Sequence, residues 1–355
     1  MQLPKFGLNR HDTSTVAAYG ADVARAEESG WDAAFLPDSQ LRRRDTYVLL
    51  ASAAQATSEI TIGPLLTNPI TRHPSVTASS ISTIAELASG RTILGLGAGD
   101  TAVRLAGLRP ARVSRLEAST RLIRSLLAGE EVDVNAARPA FLPFAQRVPI
   151  WVAAGGPRTL RMAGGVADGV FIRVGTDFEN IFSAVEEIRS GAVDAERDPR
   201  EVRLGAVFHT VFHDNEEESM LMGKSMAAGY YEYSPTLFRN IGLDWTDDSP
   251  EVLKSREGIW PDFHHAIDLL ESGRAVDFLS ETHARAFSLL GNAHSIAAQL
   301  INLLTELHKI DIEFDYVVLH PIPNPPTPDF GSKAYIERVP TEILPVVRDS
   351  LAGII

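Results

Sequence analysis

Thr92-Ile-Leu-Gly-Leu-Gly-Ala-Gly-Asp100 is a short apolar run that passes directly into closely spaced glycines and an acid. Glycines let backbone approach a phosphate or a ribose, and a terminal acid can bind a hydroxyl, so the loop alone fits a dinucleotide or S-adenosylmethionine site. Its place in the chain argues against that. A Rossmann fold carries such a loop after its first strand, whereas three strand-helix units precede this one. On a barrel the same residues cap strand four and put Ala98, Gly99 and Asp100 at the C-terminal face, where barrel active sites are built. A tight turn alone would account for two of the glycines.

Working outward, residues 5–9, 33–37 and 60–66 read as strands before this one, and 150–153, 169–172, 202–208 and 316–319 as strands after it. With 92–96 these make eight, the closure number of a barrel. Stretches of helical period separate them. Residues 13–29 carry Val16, Tyr19, Val23 and Ala26 near one face and stop at Gly30, a natural C-cap. Helical spacing recurs over 46–57, 75–88, 114–127, 158–164, 178–193 (Phe178, Ile181, Val185, Ile188) and 295–308. The expected fold is α/β, a single (β/α)8 barrel domain over residues 1–355 with insertions. Residues 130–146 form a small hairpin-like insertion. The largest, 214–291, follows strand seven and is either a lid or substrate segment or a structural arm. The proline-dense run 321–328 reads as a stiff loop.

Acidic residues outnumber basic ones 46 to 33, a net charge of −13 that repels nucleic acid and anionic membrane surfaces. The absence of cysteine excludes disulfides, thiolate metal sites and cysteine nucleophiles. No stretch approaches the ~20 apolar residues of a membrane span. The expectation is a cytoplasmic protein acting on a small molecule, with no nucleic-acid or membrane partner. Its ten histidines contain no HExxH pattern. His209 and His213, and the adjacent His264-His265, lack strong metal spacing, so no metal is expected. His209 and His320 end strands seven and eight. Arg42, Arg43, Arg44, Arg104, Arg109, Arg112 and Arg115 add positive charge on loops, as a solvated surface or a partner for an anionic tail.

Three further loops carry candidate chemistry. Trp151-Val-Ala-Ala-Gly-Gly-Pro157 leads from a strand into a helix, whose first N–H groups form an anion site. Strand three continues as Gly63-Pro-Leu-Leu-Thr-Asn-Pro-Ile-Thr-Arg-His-Pro74, with more turn-formers than a plain connection needs. Strand two ends at Leu36-Pro-Asp38-Ser39, leaving a carboxylate at the mouth. Asp168, in Ala167-Asp168-Gly169, reads as a turn residue.

These loops together resemble the luciferase-like superfamily, and within it the coenzyme F420-dependent branch that includes methylenetetrahydromethanopterin reductase. The motifs that carry the resemblance are 63–74, 90–100 and 151–157 with 167–169, and it spans about residues 1–210, resuming weakly from 291. It implies a TIM barrel that binds F420, with a bulge and a non-proline cis peptide at Leu65–Leu66 behind the deazaflavin ring. It further implies that Asp38, Thr67 and Asn68 contact the ring's polar edge, that Ala98 and Gly99 line the cofactor, and that Ala153, Ala154, Gly155, Gly156 and Pro157 hold its phosphate. Asp100 matches the acid after the glycine loop and is the expected proton donor, with Asp38 and His209 as the other catalytic candidates. A homodimer is the expected assembly. The chain departs from its relatives at Asn9, where the reductase carries glutamate, and at Ser39, where a sugar-phosphate dehydrogenase carries a catalytic histidine. The implied activity is hydride transfer between F420 and a C=C, C=N or C=O bond. Its rivals are an FMN-dependent monooxygenase, a non-catalytic flavin-binding barrel and a methyltransferase.

Overall fold

A computed structural model describes residues 3–9, 15–134, 136–323 and 332–354, so most of the run 321–328 lies outside the described residues. The first half alternates strand and helix: β1 (Lys5–Asn9), α1 (Val16–Ser29), β2 (Ala33–Leu36), α2 (Thr46–Ala56), β3 (Thr61–Pro64), α3 (Pro74–Leu87) and β4 (Leu94–Leu96). After β4 come α4 (Thr101–Leu105), α5 (Val113–Leu127), β5 (Ile150–Ala154), α6 (Pro157–Val166), β6 (Gly169–Ile172), α7 (Phe178–Asp194) and β7 (Arg203–Phe212). The chain then turns helical, through α8 (Glu216–Tyr233), α9 (Thr236–Asn240), α10 (Pro250–Glu257), α11 (Leu269–Ala275) and α12 (Glu281–Phe287). It ends with β8 (Leu289–Gly291), α13 (Ala293–His308), β9 (Tyr316–Pro321), α14 (Ser332–Arg338) and α15 (Leu344–Ala352).

The strands hydrogen-bond in the order β3-β2-β1-β9-β7-β6-β5-β4, with β8 paired to β7 outside this path. Parallel bridges Ile62–Thr92 and Thr67–Leu96 join the two ends. The eight strands of this nearly closed (β/α)8 barrel are the eight read from sequence. β8 is an addition that sequence reasoning missed, because three residues following a helix give no alternation to detect. No helix among the described residues is long and apolar enough to cross a membrane.

The chain divides into two compact units, Gly7–Phe171 with Glu186–Gly205, and Met1–Phe6 with Ile172–Val185 and Ala206–Ile355. In the first, Trp151, Phe171 and Phe35 form a fully buried ring cluster, with centroids 4.6 Å (Trp151–Phe171) and 5.5 Å (Phe35–Phe171) apart. Helix α1 begins with Thr15 accepting from Ala18 N–H and ends at Gly30 with φ 103°, as its sequence predicts. Among the described residues of 130–146, Val132 and Ala140 form an antiparallel bridge. In the second unit, insertion 214–291 is largely helical. Asn215 caps α8 by accepting from Glu218 N–H, and three glutamates in the first turn favour the positive end of the helix dipole. Met222 and Met226 of α8 pack with Val211, Leu269, Ala284, Leu290 and Ile322.

One carboxylate ties α1 to the start of β3. Glu27 accepts backbone N–H from Ser58 (3.1 Å), Glu59 and Ile60 (2.7 Å). Burial alone would raise its pKa, but these three donors and the nearby Arg91 charge outweigh it and lower the pKa. A charged hydrogen bond contributes ~1.5–3 kcal/mol, reduced here because solvent reaches the carboxylate. Glu27→Gln is therefore expected to cost about 1–2 kcal/mol at pH 7 in urea unfolding. Because the folded-state pKa is depressed, the contribution is complete above the unfolded value of ~4.3 and is lost as pH falls through the folded one. The gap between wild type and variant should close in acid; a constant gap would assign the effect to packing.

Candidate active site

In the first unit the chain leaves β2 and buries Asp38, whose side chain is committed on both oxygens. Oδ2 accepts from Thr67 Oγ1 at 2.7 Å and Arg72 Nε at 2.8 Å, and Oδ1 from Arg72 Nη2 at 3.3 Å. Arg72 Nη2 also donates to Asp45 at 2.6 Å, and the guanidinium lies 4.8 Å over the Tyr47 ring. Burial opposes the charge on Arg72, yet the bonds to Asp38 and Asp45 hold its pKa above the usual arginine range. Burial likewise pushes the Asp45 carboxyl up, and Arg72 with the Val48 and Tyr47 N–H groups brings it below its ordinary value. Asp38 is thus the anchor of a buried ion pair, an environment the sequence did not reveal. Arg72, Asp45 and Tyr47 escape sequence reasoning, although Arg72 stands inside the turn-rich stretch 63–74 and an arginine there is the one available signal.

Beside this pair the Leu65–Leu66 peptide bond is cis. Leu65 N–H donates to Leu36 O, and Leu66 O accepts from Asp38 N–H, so the turn is stitched to the end of β2. On its other side Thr67 N–H donates to Gly95 O and Gly97 N–H to Thr67 O. Here lies the reason for the glycines. A Cβ on Gly95 would stand 2.3 Å from Pro64 O, one on Gly97 2.7 Å from the Leu66 side chain, and one on Gly99 2.8 Å from Asn68 Cβ. Gly99 also has φ 78°, where a side chain is strained. The loop that sequence alone reads as leaving room for a phosphate or ribose instead leaves room for the loop after β3. Ala98, half-buried, accepts from Ala111 N–H at 2.8 Å.

Asn68 is 1% exposed. Its Oδ1 takes hydrogen bonds from Ile70 N–H, Thr71 N–H and the Thr71 hydroxyl, while its buried Nδ2 has no partner among the described residues. The buried Ser39 hydroxyl has none either. After β5, whose last residues Ala153 and Ala154 are buried, Gly156 occupies the N-cap of α6 and Pro157 its first position, with no side chain capping the helix. A Cβ on Gly156 would meet nothing within 4 Å. Unlike Gly95 and Gly97, this glycine borders open space. Gly155 precedes it at the same half-buried turn.

Asp100 corrects an expectation. Proton donation was expected from a desolvated mouth, but its side chain is 39% exposed and paired to Arg104 one helical turn on. Asp168 lies at the start of β6, accepting from Arg124 (2.7 Å) and Ile150 N–H (2.7 Å), a structural tie as its turn context suggests.

The second unit holds the histidines. His209, on β7 and 5% exposed, has ring centroids of His320 and Tyr230 each at 5.3 Å and His264 at 6.0 Å. His213 instead pairs with Glu218 at 3.3 Å. His264 and His265 both approach Asp262, a convergence that their adjacency alone does not announce. Burial pushes the Asp262 carboxyl up, and the two imidazoles and the Tyr233 hydroxyl hold it well below the usual range.

A model of the luciferase-like monooxygenase family matches residues 3–307. The chain belongs to this family. Among the relatives of this luciferase-like chain is a 5,10-methylenetetrahydromethanopterin reductase from Methanolobus tindarius, 39% identical over 214 residues. That match covers 57% of this chain and 63% of the relative, less than two thirds of its length. The solved coenzyme F420-dependent tetrahydromethanopterin reductase from Methanopyrus kandleri shares the fold at TM-score 0.69, with 24% identity over 97% of this chain and 99% of that one. An F420-dependent secondary alcohol dehydrogenase, in complex with an F420-acetone adduct, shares it at TM-score 0.68 and 17% identity, over 98% and 100% of the two chains.

Removing one member of a buried ion pair leaves the other charge uncompensated, at ~3–5 kcal/mol when solvent is fully excluded. Arg72 is 18% exposed and Asp38 2%, so Arg72→Gln is expected to destabilise the protein by about 2–4 kcal/mol at pH 7. Chemical denaturation measures this, and a loss under ~1 kcal/mol would show that the pair behaves as a surface ion pair.

Proposed function

We propose that this luciferase-like chain is an oxidoreductase that uses coenzyme F420 and moves a hydride between it and a C=C, C=N or C=O bond of a small organic substrate. The observation that carries this reading is the buried Asn68 amide beside the Leu65–Leu66 turn, whose Nδ2 lacks an acceptor among the described residues while its Oδ1 accepts three hydrogen bonds. A buried donor left unpaired costs ~1–3 kcal/mol, so an acceptor on a ligand accounts for it. The F420-dependent proteins among the structural neighbours, and the reductase relative, support the choice of cofactor.

Coenzyme F420, when bound, supplies or takes up the hydride at its deazaflavin ring. In this reading Leu65 and Leu66 form the apolar wall of the ring pocket. Asn68 Nδ2 and Ser39 Oγ bond its polar edge. Asp38 acts one step back, holding Thr67 and Arg72 in place, because neither of its oxygens is free of a donor. Ala153 to Pro157 and the first turn of α6 hold the phosphate through main-chain N–H groups and the helix dipole. Ala98 and Gly99 shape the loop rather than donate. A substrate heteroatom also needs a proton. Asp100 is half-buried and paired with Arg104, and the strand-end histidines His209 and His320 are its competitors for the role of donor.

Calorimetry on the full chain with F420 and with FMN tests the cofactor, and Gly156→Val tests the loop. F420 should bind and FMN should not. Gly156→Val should weaken F420 binding at least tenfold, equivalent to ~1.4 kcal/mol. Its effect on unfolding should stay within the ~1 kcal/mol of a poorer N-cap, since its side chain meets open space. FMN binding without F420 binding, or unchanged F420 affinity in the variant, would overturn the assignment. For the proton, Asp100→Asn should cost far less turnover than the ~10²–10⁴-fold typical of a lost general acid, and either His209→Gln or His320→Gln should fall in that range. The reverse order would return the role to Asp100.

A further inference from the structure

Asp262, His264 and His265 bring three ligand-type atoms together on the insertion between β7 and β8. Asp262 Oδ1 lies 3.1 Å from His264 Nδ1 and 3.0 Å from His265 Nδ1, and one donor atom from each residue falls within 4.8 Å of the others. Bonds of ~2.0–2.2 Å from one ion to nitrogen and oxygen donors separate adjacent donors by about 2.8–3.6 Å, from right-angled to tetrahedral geometry. The two imidazole–carboxylate separations match that spacing. All three side chains are largely withdrawn from solvent, at 10%, 13% and 22% exposure in sequence order.

The cluster is also held in place. Asp262 caps the short 3-10 turn Phe263–His265, accepting from His265 N–H at 2.9 Å. The Phe263 carbonyl lies 2.7 Å from the Ser225 hydroxyl of α8 and 3.0 Å from the Ser272 hydroxyl of α11, both fully buried. The Tyr233 hydroxyl, 3.1 Å from Asp262 Oδ2, orients the carboxylate from outside, as second partners of metal-binding carboxylates do. Helix α8 has no side chain where the His264 ring lies against it, since a Cβ on Gly229 would stand 2.2 Å from His264 Nδ1. Glu232, which feels the Asp262 charge, is itself paired with Lys254.

We propose that Asp262, His264 and His265 bind one divalent transition-metal ion of the zinc or cobalt type. Two imidazoles and a carboxylate suit such an ion, whereas magnesium and calcium prefer oxygen donors. Three protein ligands leave at least one coordination position for water or an oxygen of a small molecule. The site does not depend on the cofactor assignment, because every residue in it lies outside the motifs that assignment uses.

The test strips the full-length protein with a chelator and titrates it with Zn²⁺ by calorimetry and with Co²⁺ by its visible absorption. One equivalent of each should bind, and Zn²⁺ should raise the unfolding temperature. His264→Gln and His265→Gln should each weaken Zn²⁺ binding at least tenfold and reduce the Co²⁺ band, with unfolding in chelator unchanged. Both leave the Asp262 cap intact, and Asp262→Asn serves as a third variant should either fail to fold. His213→Gln, outside the cluster, should bind as wild type does. No Zn²⁺ or Co²⁺ binding, or binding indifferent to both histidine substitutions, would overturn the proposal and leave a His–Asp–His cluster held by charge.

Discussion

Where β4 meets the end of β3, two backbones run closer than side chains permit. Gly63 faces Ile93 O, where a Cβ would stand 1.9 Å away, and Gly95 and Gly97 continue the same seam against Pro64 and Leu66. The seam is held by main-chain bonds from Thr67 to Gly95 and from Gly97 to Thr67, and by the bridges at Ile62–Thr92 and Thr67–Leu96. It joins β3 to β4, the two ends of the strand order. The same contact fixes the turn at Leu65–Leu66 and with it the position of Asn68. Closure of the barrel and construction of the candidate cofactor pocket are one packing event.

Charge is handled differently at the two acids that follow β2 and β4. Asp38 and Arg72 are buried together, with Thr67 and Asp45 completing their hydrogen bonds, so the loop after β3 is locked to the end of β2. Such a pair contributes position more than stability, because desolvating both charges offsets most of their attraction. Asp100 stands in solvent with Arg104 and is free of this constraint. Position along the chain made the two carboxylates look equivalent, and burial separates them.

The second unit is built on another principle. Around α8, aromatic rings join the aliphatic cluster of Met222 and Met226: Tyr231 stacks on Trp245 at 4.5 Å, Tyr230 tilts against Phe287 at 5.0 Å, and Phe238 stacks on the same ring at 4.9 Å. Rings bury much surface with few rotatable bonds, which suits short helices that cannot hold themselves. Packing of this kind has no sequence period, and the segment accordingly reads from composition alone as rich in Tyr, Trp, Asp and Ser.

By itself the sequence determined the strand-helix alternation, all eight barrel strands, the cap at Gly30 and the three loops that carry the family's motifs. These are local or periodic properties, written in spacing and in residues with restricted backbone. Only the tertiary structure decided what each loop residue does. Gly97 serves a neighbouring leucine and Gly156 borders open space, although both stand in glycine-rich loops after a strand. Arg72 finds Asp38 from 34 positions away, and Asp262 gathers two histidines because serines on two other helices fix the turn between them. Exposure and partnership depend on which segments meet in space, and a residue's identity and spacing do not contain that information.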